Sequence, residues 1–226
     1  MYKQAIIAGK GKLATELLES MQIVELLKKT SWRNNKTENI RSIIIHAGSG
    51  RELPELVNFC KKTNSTLIEL STGSVLEGKQ LSFPIVMCPN TNILMLKFMN
   101  MIAKSGHLFS EYDVEITESH QSSKKSTPGT AVAIAESMNF DVNLIKSIRS
   151  QEYQKSQLNI EEEYLHRHAY HKIRIVDDLC QIVLESKVFG ESSYASGVSK
   201  IINATYYNSL ENRTYAINEY IENGWL

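Results

Sequence analysis

Three cysteines, four prolines and two tryptophans in 226 residues leave little to staple or stiffen this chain. Cys60, Cys88 and Cys180 are odd in number, widely spaced and include no C-x-x-C pair, which argues against a disulfide framework or a cysteine-based zinc site. They fit reduced, buried thiols in a cytoplasmic protein. An excess of one charge is absent too, because 25 basic and 25 acidic side chains cancel. Neither a nucleic acid nor a membrane surface is therefore expected as the main partner, and any anion binding must be local. No apolar run approaches the length that spans a bilayer, and the apolar part of Met1-Tyr2-Lys3-Gln4-Ala5-Ile6-Ile7-Ala8 is too short for a signal peptide. The sequons beginning at Asn64, Asn203 and Asn212 then have no compartment in which to be used. His166, His168 and His171 cluster without a pattern of ligand spacing, so strand-edge or surface histidines are expected there and no metal.

What is present is 42% hydrophobic residues, enough for the core of one large domain or two small ones. The apolar run from Lys3 to Ala8 reads as a short buried strand, and Gly9-Lys10-Gly11-Lys12-Leu13-Ala14 follows it before a helical stretch to about Ser20. This is the G-x-G-x-x-A form of the dinucleotide fingerprint in its strand, turn and helix setting. Gly9 would allow the tight turn, Gly11 the approach of a pyrophosphate, and Ala14 close packing of helix on strand; Lys12 and Leu13 open the helix. A plain glycine turn is the competing reading.

The second strand is harder to place. If Ile23 to Leu27 forms it, its end delivers Lys28, Lys29, Ser31 and Arg33, which suit a 2′-phosphate better than a bare ribose diol and favour NADPH over NADH. Trp32 or Arg33 could then stack on adenine. Alternatively Leu13, Leu17, Leu18, Met21, Val24 and Leu27 form one long amphipathic helix whose basic end is solvated. Residues 34 to 39 read as a polar linker. The β-branched run from Ile40 to His46 reads as a buried parallel strand, followed by a helix from about Glu52 to Lys62 with Pro54 in its first turn. Strands Thr66 to Leu70 and Pro84 to Cys88, and a helix Thr91 to Lys104 with a packing stripe of methionines, complete the pattern.

The stretch richest in chemistry is Glu118-Ser119-His120-Gln121-Ser122-Ser123-Lys124-Lys125-Ser126-Thr127-Pro128-Gly129-Thr130-Ala131. It follows an alternating strand, Asp113 to Thr117, and leads into a helix, so it reads as a loop. Free N–H groups around Gly129 and Thr130 at the helix start can hold a carboxylate or phosphate, Lys124 supplies a mobile positive charge, and His120 can act as a general acid. The competing reading is a solvated polar loop.

This run resembles the signature of the dihydrodipicolinate reductase family, Glu-x-His-His-x-x-Lys-x-x-x-Pro-Ser-Gly-Thr-Ala. Glu118, His120, Lys124, Pro128, Gly129, Thr130 and Ala131 match it if the signature's Ser is missing between Pro128 and Gly129. The second His is Gln121, and the Asp two residues beyond the Lys is Ser126. The resemblance implies NAD(P)H-dependent reduction of a cyclic dicarboxylic imine in lysine and diaminopimelate biosynthesis. His120 would be the proton donor, Lys124 its assistant, and Gly129, Thr130 and the replaced Gln121 the binders of a small-molecule carboxylate substrate. It extends more weakly to other strand ends: His46 stands where the family has Asp-Phe-Thr, Ser71-Thr72-Gly73 is similar to Gly-Thr-Thr-Gly beside the nicotinamide, Pro89-Asn90 to Ala-Asn-Phe-Ser, and Tyr194-Ala195-Ser196-Gly197 to Phe-Ala-Asn-Gly, with Glu191 in place of an upstream Arg.

An α/β fold is thus expected: a trimmed Rossmann-type dinucleotide-binding domain over 1–91 and 194–226, and an α+β substrate-binding and oligomerisation domain with a mixed sheet over 92–193. Residues 143 to 157 read as irregular or weakly helical, Ala169 to Val176 and Leu179 to Val188 as a hairpin turning at Asp177-Asp178, and Tyr194 to Asn223 as one helix whose tyrosines pack inward. A homo-oligomer, dimer or tetramer, is implied. A reductase of another imine or unsaturated acid, and a non-catalytic nucleotide-binding relative, remain the alternatives.

Overall fold

The computed structural model of the protein describes residues 1–34, 39–190 and 193–226. In chain order it contains β1 (Gln4–Ala8), α1 (Lys12–Ser20), β2 (Lys28–Ser31), β3 (Ser42–His46), α2 (Leu53–Thr63), β4 (Thr66–Glu69), β5 (Ile85–Met87), α3 (Ile93–Ser105) and β6 (Asp113–His120). Then come α4 (Gly129–Ser137), β7 (Lys146–Ile148), α5 (Gln151–Ser156), β8 (His168–Asp177), β9 (Cys180–Phe189), α6 (Ser193–Tyr207), β10 (Thr214–Ala216) and α7 (Ile217–Glu222). Two compact units form, one from Met1–Leu96 with Ser192–Leu226 and the other from Lys97–Glu191.

The first unit is a parallel six-stranded sheet in the order β10-β5-β4-β3-β1-β2. Its central strands are buried on both faces, which is why they read as unbroken apolar runs. Ile7, Ile45, Ile68 and Val86 pack on one face with Leu17 of α1 and Ile201 and Ile202 of α6. Ile6, Ile44, Leu67 and Ile85 pack on the other with Leu53, Leu56 and Cys60 of α2. Helices on both faces of a parallel sheet, with the strand order reversing between β1 and β3, make this a Rossmann-type domain with one strand, β2, beyond the reversal instead of two.

The second unit holds a mixed four-stranded sheet, β7-β6-β8-β9, in which β6 runs parallel to β7 and antiparallel to β8. A small core of Leu158, Ile160, Leu165 and Tyr170 closes one end. No helix among the described residues is long and apolar enough to cross a membrane.

Several local expectations are corrected. The second strand is Lys28–Ser31, not Ile23 to Leu27, and the long-helix alternative fails because the chain turns extended at Met21. The amides of Gln22 and Val24 donate to Ser199 Oγ and Asn203 Oδ1 of α6, so this segment is satisfied by helix side chains and not by a ladder. The strand before the signature loop continues to His120, and the stretch from 143 to 157 contains a strand, β7, and a short helix, α5. The hairpin turns at Asp178-Leu179, with Asp178 at φ 45° and Asp177 paired to Cys180. The final stretch is not one helix: Asn208 Nδ2 donates to the Ala204 carbonyl at the end of α6, and β10 then joins the sheet beside β5. Cys180 and Tyr207 are exposed, whereas Cys60 and Cys88 are buried. Positions 35–38 of the expected linker, and Glu191, lie outside the described residues.

Candidate active site

In the second unit the site grows from the last three residues of β6. Pairing with β8 sets Glu118 opposite His171 and His120 opposite Ala169, while β7 sets Ser147 beside Glu118. Glu118 is fully buried, and its carboxylate accepts from His120 Nδ1 at 2.8 Å and from Arg149 Nη2 at 2.6 Å and Nη1 at 3.2 Å. Burial alone would raise its pKa, but hydrogen bonds from His120, Arg149 and Ser147 and the guanidinium charge outweigh that and hold it down at about 2. The carboxylate is therefore ionised at neutral pH, and it must receive a proton-bearing Nδ1. That fixes the ring of His120 and leaves Nε2 as the nitrogen for proton exchange. The His120 side chain is only 13% exposed.

Arg149 has a second task. Its Nε donates to the carbonyl of Lys124 at 2.8 Å, so one guanidinium ties the buried carboxylate to the loop carrying the candidate lysine. Gln154 of α5 stitches the other side: its Nε2 donates to the His120 carbonyl at 2.8 Å and to Ser119 Oγ at 3.0 Å. The rings of His168 and His171 lie 6.5 and 5.7 Å from that of His120. Burial, with His120 nearby, pushes the His171 pKa down to about 4, so that imidazole is neutral. Gln121 and Lys124 are half-buried in the loop; Gly129 and Thr130 open α4, whose N-terminus has Pro128 as cap and no side-chain cap bond. Their N–H groups are the first of the helix and lack an intrahelical partner. Among the described residues no group of three or more His, Cys, Asp or Glu side chains is placed to hold a metal ion.

In the first unit a cleft of about 690 Å³ opens at the carboxyl ends of the strands, lined by Lys10, Gly11, Gly48, Arg51, Glu52 and others. A second of about 460 Å³ shares Gly48, Ser49 and Arg51 and extends to Ser71, Thr72 and Gly73. Open parallel sheets bind ligands at this edge, at the point where strand order reverses. Gly9 adopts φ 145°, and a Cβ there would stand 2.2 Å from the Ala47 carbonyl oxygen, so the turn admits only glycine. Gly11 is different, since a Cβ there would meet nothing within 4 Å. Gly11 also caps α1 without a side-chain bond, leaving that N-terminus to an anion. These residues fit a dinucleotide pyrophosphate.

The other candidates are scattered around the cleft. Lys12 is exposed and Leu13 half-buried on the first turn of α1. His46 lies beneath the cleft floor, fully buried. Lys29 Nζ donates to the Met21 carbonyl at 3.2 Å, which leaves Arg33 as the exposed basic side chain just beyond β2. Trp32 packs edge-on against Phe59 with centroids 5.3 Å apart. Pro89 and Asn90 follow β5, where Asn90 Oδ1 accepts from the Asn92 amide.

The family profile described as dihydrodipicolinate reductase, C-terminus, matches residues 92–221, more than half of the chain. The chain belongs to the dihydrodipicolinate reductase family. It is 29% identical over 159 residues to the 4-hydroxy-tetrahydrodipicolinate reductase of Rickettsia canadensis, covering 66% of each chain. It is 25% identical over 219 residues to that of Rickettsia peacockii, covering 88% of this chain and 91% of the other. A probable chloroplastic 4-hydroxy-tetrahydrodipicolinate reductase of Oryza sativa is 32% identical over 96 residues, 39% of this chain and 28% of the rice protein. The matches thus span from 28% to 91% of these relatives' lengths. A dipicolinate-bound dihydrodipicolinate reductase from Paenisporosarcina sp. TG-14 superposes with a TM-score of 0.67 at 15% identity, covering 97% of this chain and 99% of that one. The family fold is therefore the one observed, a Rossmann-type domain with a second, mixed-sheet domain.

Arg149, Gln154 and Glu69 were not singled out from the sequence. Arg149 gave no clear signal: Ser147-Ile148-Arg149 is a short alternating segment in an otherwise polar stretch, too brief to stand out as a strand.

Proposed function

We propose that the chain is an NAD(P)H-dependent oxidoreductase that reduces 4-hydroxy-tetrahydrodipicolinate to tetrahydrodipicolinate in lysine and diaminopimelate biosynthesis. The observation that carries this reading is the Glu118, His120 and Arg149 network at the head of the signature loop. In the first unit Gly9, Gly11, Lys12 and Leu13 would hold the pyrophosphate turn, Ser71, Thr72 and Gly73 the far end of the cofactor, and Arg33 a 2′-phosphate. A bound reduced nicotinamide supplies a hydride. Loss of water from the 4-hydroxy compound leaves a conjugated cyclic imine, whose reduction consumes one hydride and one proton; His120 gives the proton from Nε2 while Glu118 holds Nδ1. Lys124 balances negative charge on the substrate, and the N–H groups of Gly129 and Thr130, with Gln121 beside them, hold a substrate carboxylate. Exposed Leu179, Ile182 and Val183 on the β8–β9 hairpin support a homo-oligomer.

The test is oxidation of NADPH or NADH by purified protein with the lysine-pathway substrate. Turnover supports the reading. Turnover only with other imines moves the substrate, for which Gln121, Ser126 and the shortened loop supply the reason; binding without turnover makes the chain a nucleotide-binding relative. A titration at fixed ionic strength in which Arg33→Ala weakens NADPH but not NADH supports the phosphate assignment, and equal effects on both overturn it.

A further inference from the structure

Three imidazoles crowd the end of β6 in the second unit, and the proposed chemistry uses one of them. The ring of His168 lies nearly parallel to that of His120, at 26° and 6.5 Å, and the ring of His171 stands edge-on to it at 5.7 Å. Among the described residues, His120 is the one of the three with a carboxylate on a ring nitrogen. His171 Nε2 is buried without a hydrogen-bond partner, so a proton there would be an N–H with nothing to accept it. His168 is buried as well, but both of its nitrogens are engaged. Nδ1 lies 3.1 Å from the Tyr164 carbonyl, and Nε2 lies 3.1 Å from Ser119 Oγ.

The direction of these bonds is set at their far end, by Gln154 of α5. Its fully buried amide faces the His120 and Ile148 carbonyls at 2.8 and 3.3 Å, which can only accept, so the end that also meets Ser119 Oγ at 3.0 Å is the donor, Nε2. Ser119 is fully buried, and of the two nitrogens its hydroxyl meets, only His168 Nε2 can take its proton. The Tyr164 carbonyl likewise requires the His168 N–H on Nδ1. The bonds thus run one way, from Gln154 Nε2 to Ser119 Oγ to His168 Nε2. Charging His168 would put a second N–H on Nε2 and strand the buried Ser119 proton without an acceptor. Burial pushes the His168 pKa down, against the pull of the Tyr164 and Leu165 carbonyls. The charged groups beside it are His120 and Arg149, with Glu118 bonded to both. β9 sets Phe189 opposite it, Lys187 of that strand is bonded to the Leu158 carbonyl, and Glu161, Glu162 and Glu163 before Tyr164 are exposed. We infer that Gln154 and Ser119, as positioning residues, hold the ring beside His120 uncharged with its proton on Nδ1, so that this cluster of imidazoles takes up its proton at His120 first. The inference rests on the reading of His120 as the acid and deepens it.

The test is an NMR titration of the full chain labelled with nitrogen-15 histidine, the His120 and His168 signals being identified by their loss in His120→Gln and His168→Phe. At pH 6.5, where an unperturbed imidazole is half charged, His168 should be neutral with its proton on Nδ1, and His120 should charge at a higher pH than His168 does. Ser119→Ala removes the donor to Nε2 and should raise the protonation constant of His168 about fivefold, as expected for one hydrogen bond. His120→Gln removes the neighbouring charge and should raise it roughly tenfold. A charged or Nε2–H ring at His168 in the unsubstituted protein, or a titration of His168 that neither variant moves, overturns this inference alone. So does a His168 that takes up its proton before His120. The expected titrations in a protein that turns over no imine support this inference and overturn the proposed function instead.

Discussion

Each unit buries a glutamate against an imidazole, with His46 Nδ1 and His120 Nδ1 both 2.8 Å from a carboxylate oxygen. The surroundings differ. The first pair is fully buried on both sides, and its far nitrogen lies 4.0 Å from Glu52 Oε2, on a side chain that lines the cleft. In the second pair the glutamate is neutralised by Arg149 and the imidazole keeps some exposure, at the mouth of a loop carrying lysine and a free helix terminus. The same two side chains are thus used once to hold a neighbour in place and once to aim a nitrogen outward. Position relative to solvent, and not the pair itself, is what separates the buried pair from the one proposed to donate a proton.

That contrast can be broken by removing each imidazole. His120→Ala should lower turnover about 10²- to 10⁴-fold with circular dichroism and unfolding midpoint little changed, because it deletes the proposed proton donor and leaves Glu118 compensated by Arg149. An unaltered rate would end its assignment. His46→Ala should act the other way round. It leaves a buried carboxylate held only by the Ser71 amide and hydroxyl, so a loss of about 3 to 5 kcal/mol in denaturant unfolding is expected. If instead His46→Ala is as stable as the parent, the first pair is not what holds the β3 and β4 ends together.

The contrast also marks what the sequence could and could not reveal. The strands around Ile6, Ile44 and Leu67 were legible because burial on both faces demands continuous apolar runs, and the glycine turn because φ 145° at Gly9 excludes every other residue. The signature loop was legible because its chemistry is concentrated in fourteen consecutive residues. Glu69 was hidden, since a buried charge in a short apolar strand gains meaning only when a neighbouring strand brings His46 beside it. Arg149 was hidden for the same reason, and β2, β7 and β10 because strands of three or four residues are fixed by their partners, not by an internal period.

A third imidazole sharpens the comparison through pH. His171 is buried, uncharged in the folded protein and pushed from 6.5 down to about 4. Between those two values the unfolded chain takes up a proton that the folded chain refuses, so stability falls as pH drops from 6.5 toward 4, by about 3 kcal/mol in all. Glu118 adds nothing in most of that window, because its depressed pKa contributes stability that is lost only as pH falls below 4.5 toward about 2. Unfolding of a His171→Phe variant, followed at pH 6.5 and at pH 4.5, should show a shallower slope than the parent; an identical slope would assign the acid sensitivity elsewhere.

The smallest expected effect lies at the link between the buried carboxylate and the loop. Arg149→Lys keeps a positive charge near Glu118 but cannot reproduce the fork that reaches both carboxylate oxygens and the Lys124 carbonyl at once. The ammonium would satisfy Glu118 first, since an ionised acceptor binds a cation more strongly than a carbonyl does. Lys124 would then lose its tether while His120 keeps its orientation. The expected outcome is a rise of about fivefold in KM for the carboxylate substrate, from one lost hydrogen bond of about 1 kcal/mol, with kcat nearly constant. A fall in kcat with unchanged KM would mean that Arg149 acts through the imidazole instead, and that the second pair depends on its guanidinium for more than charge.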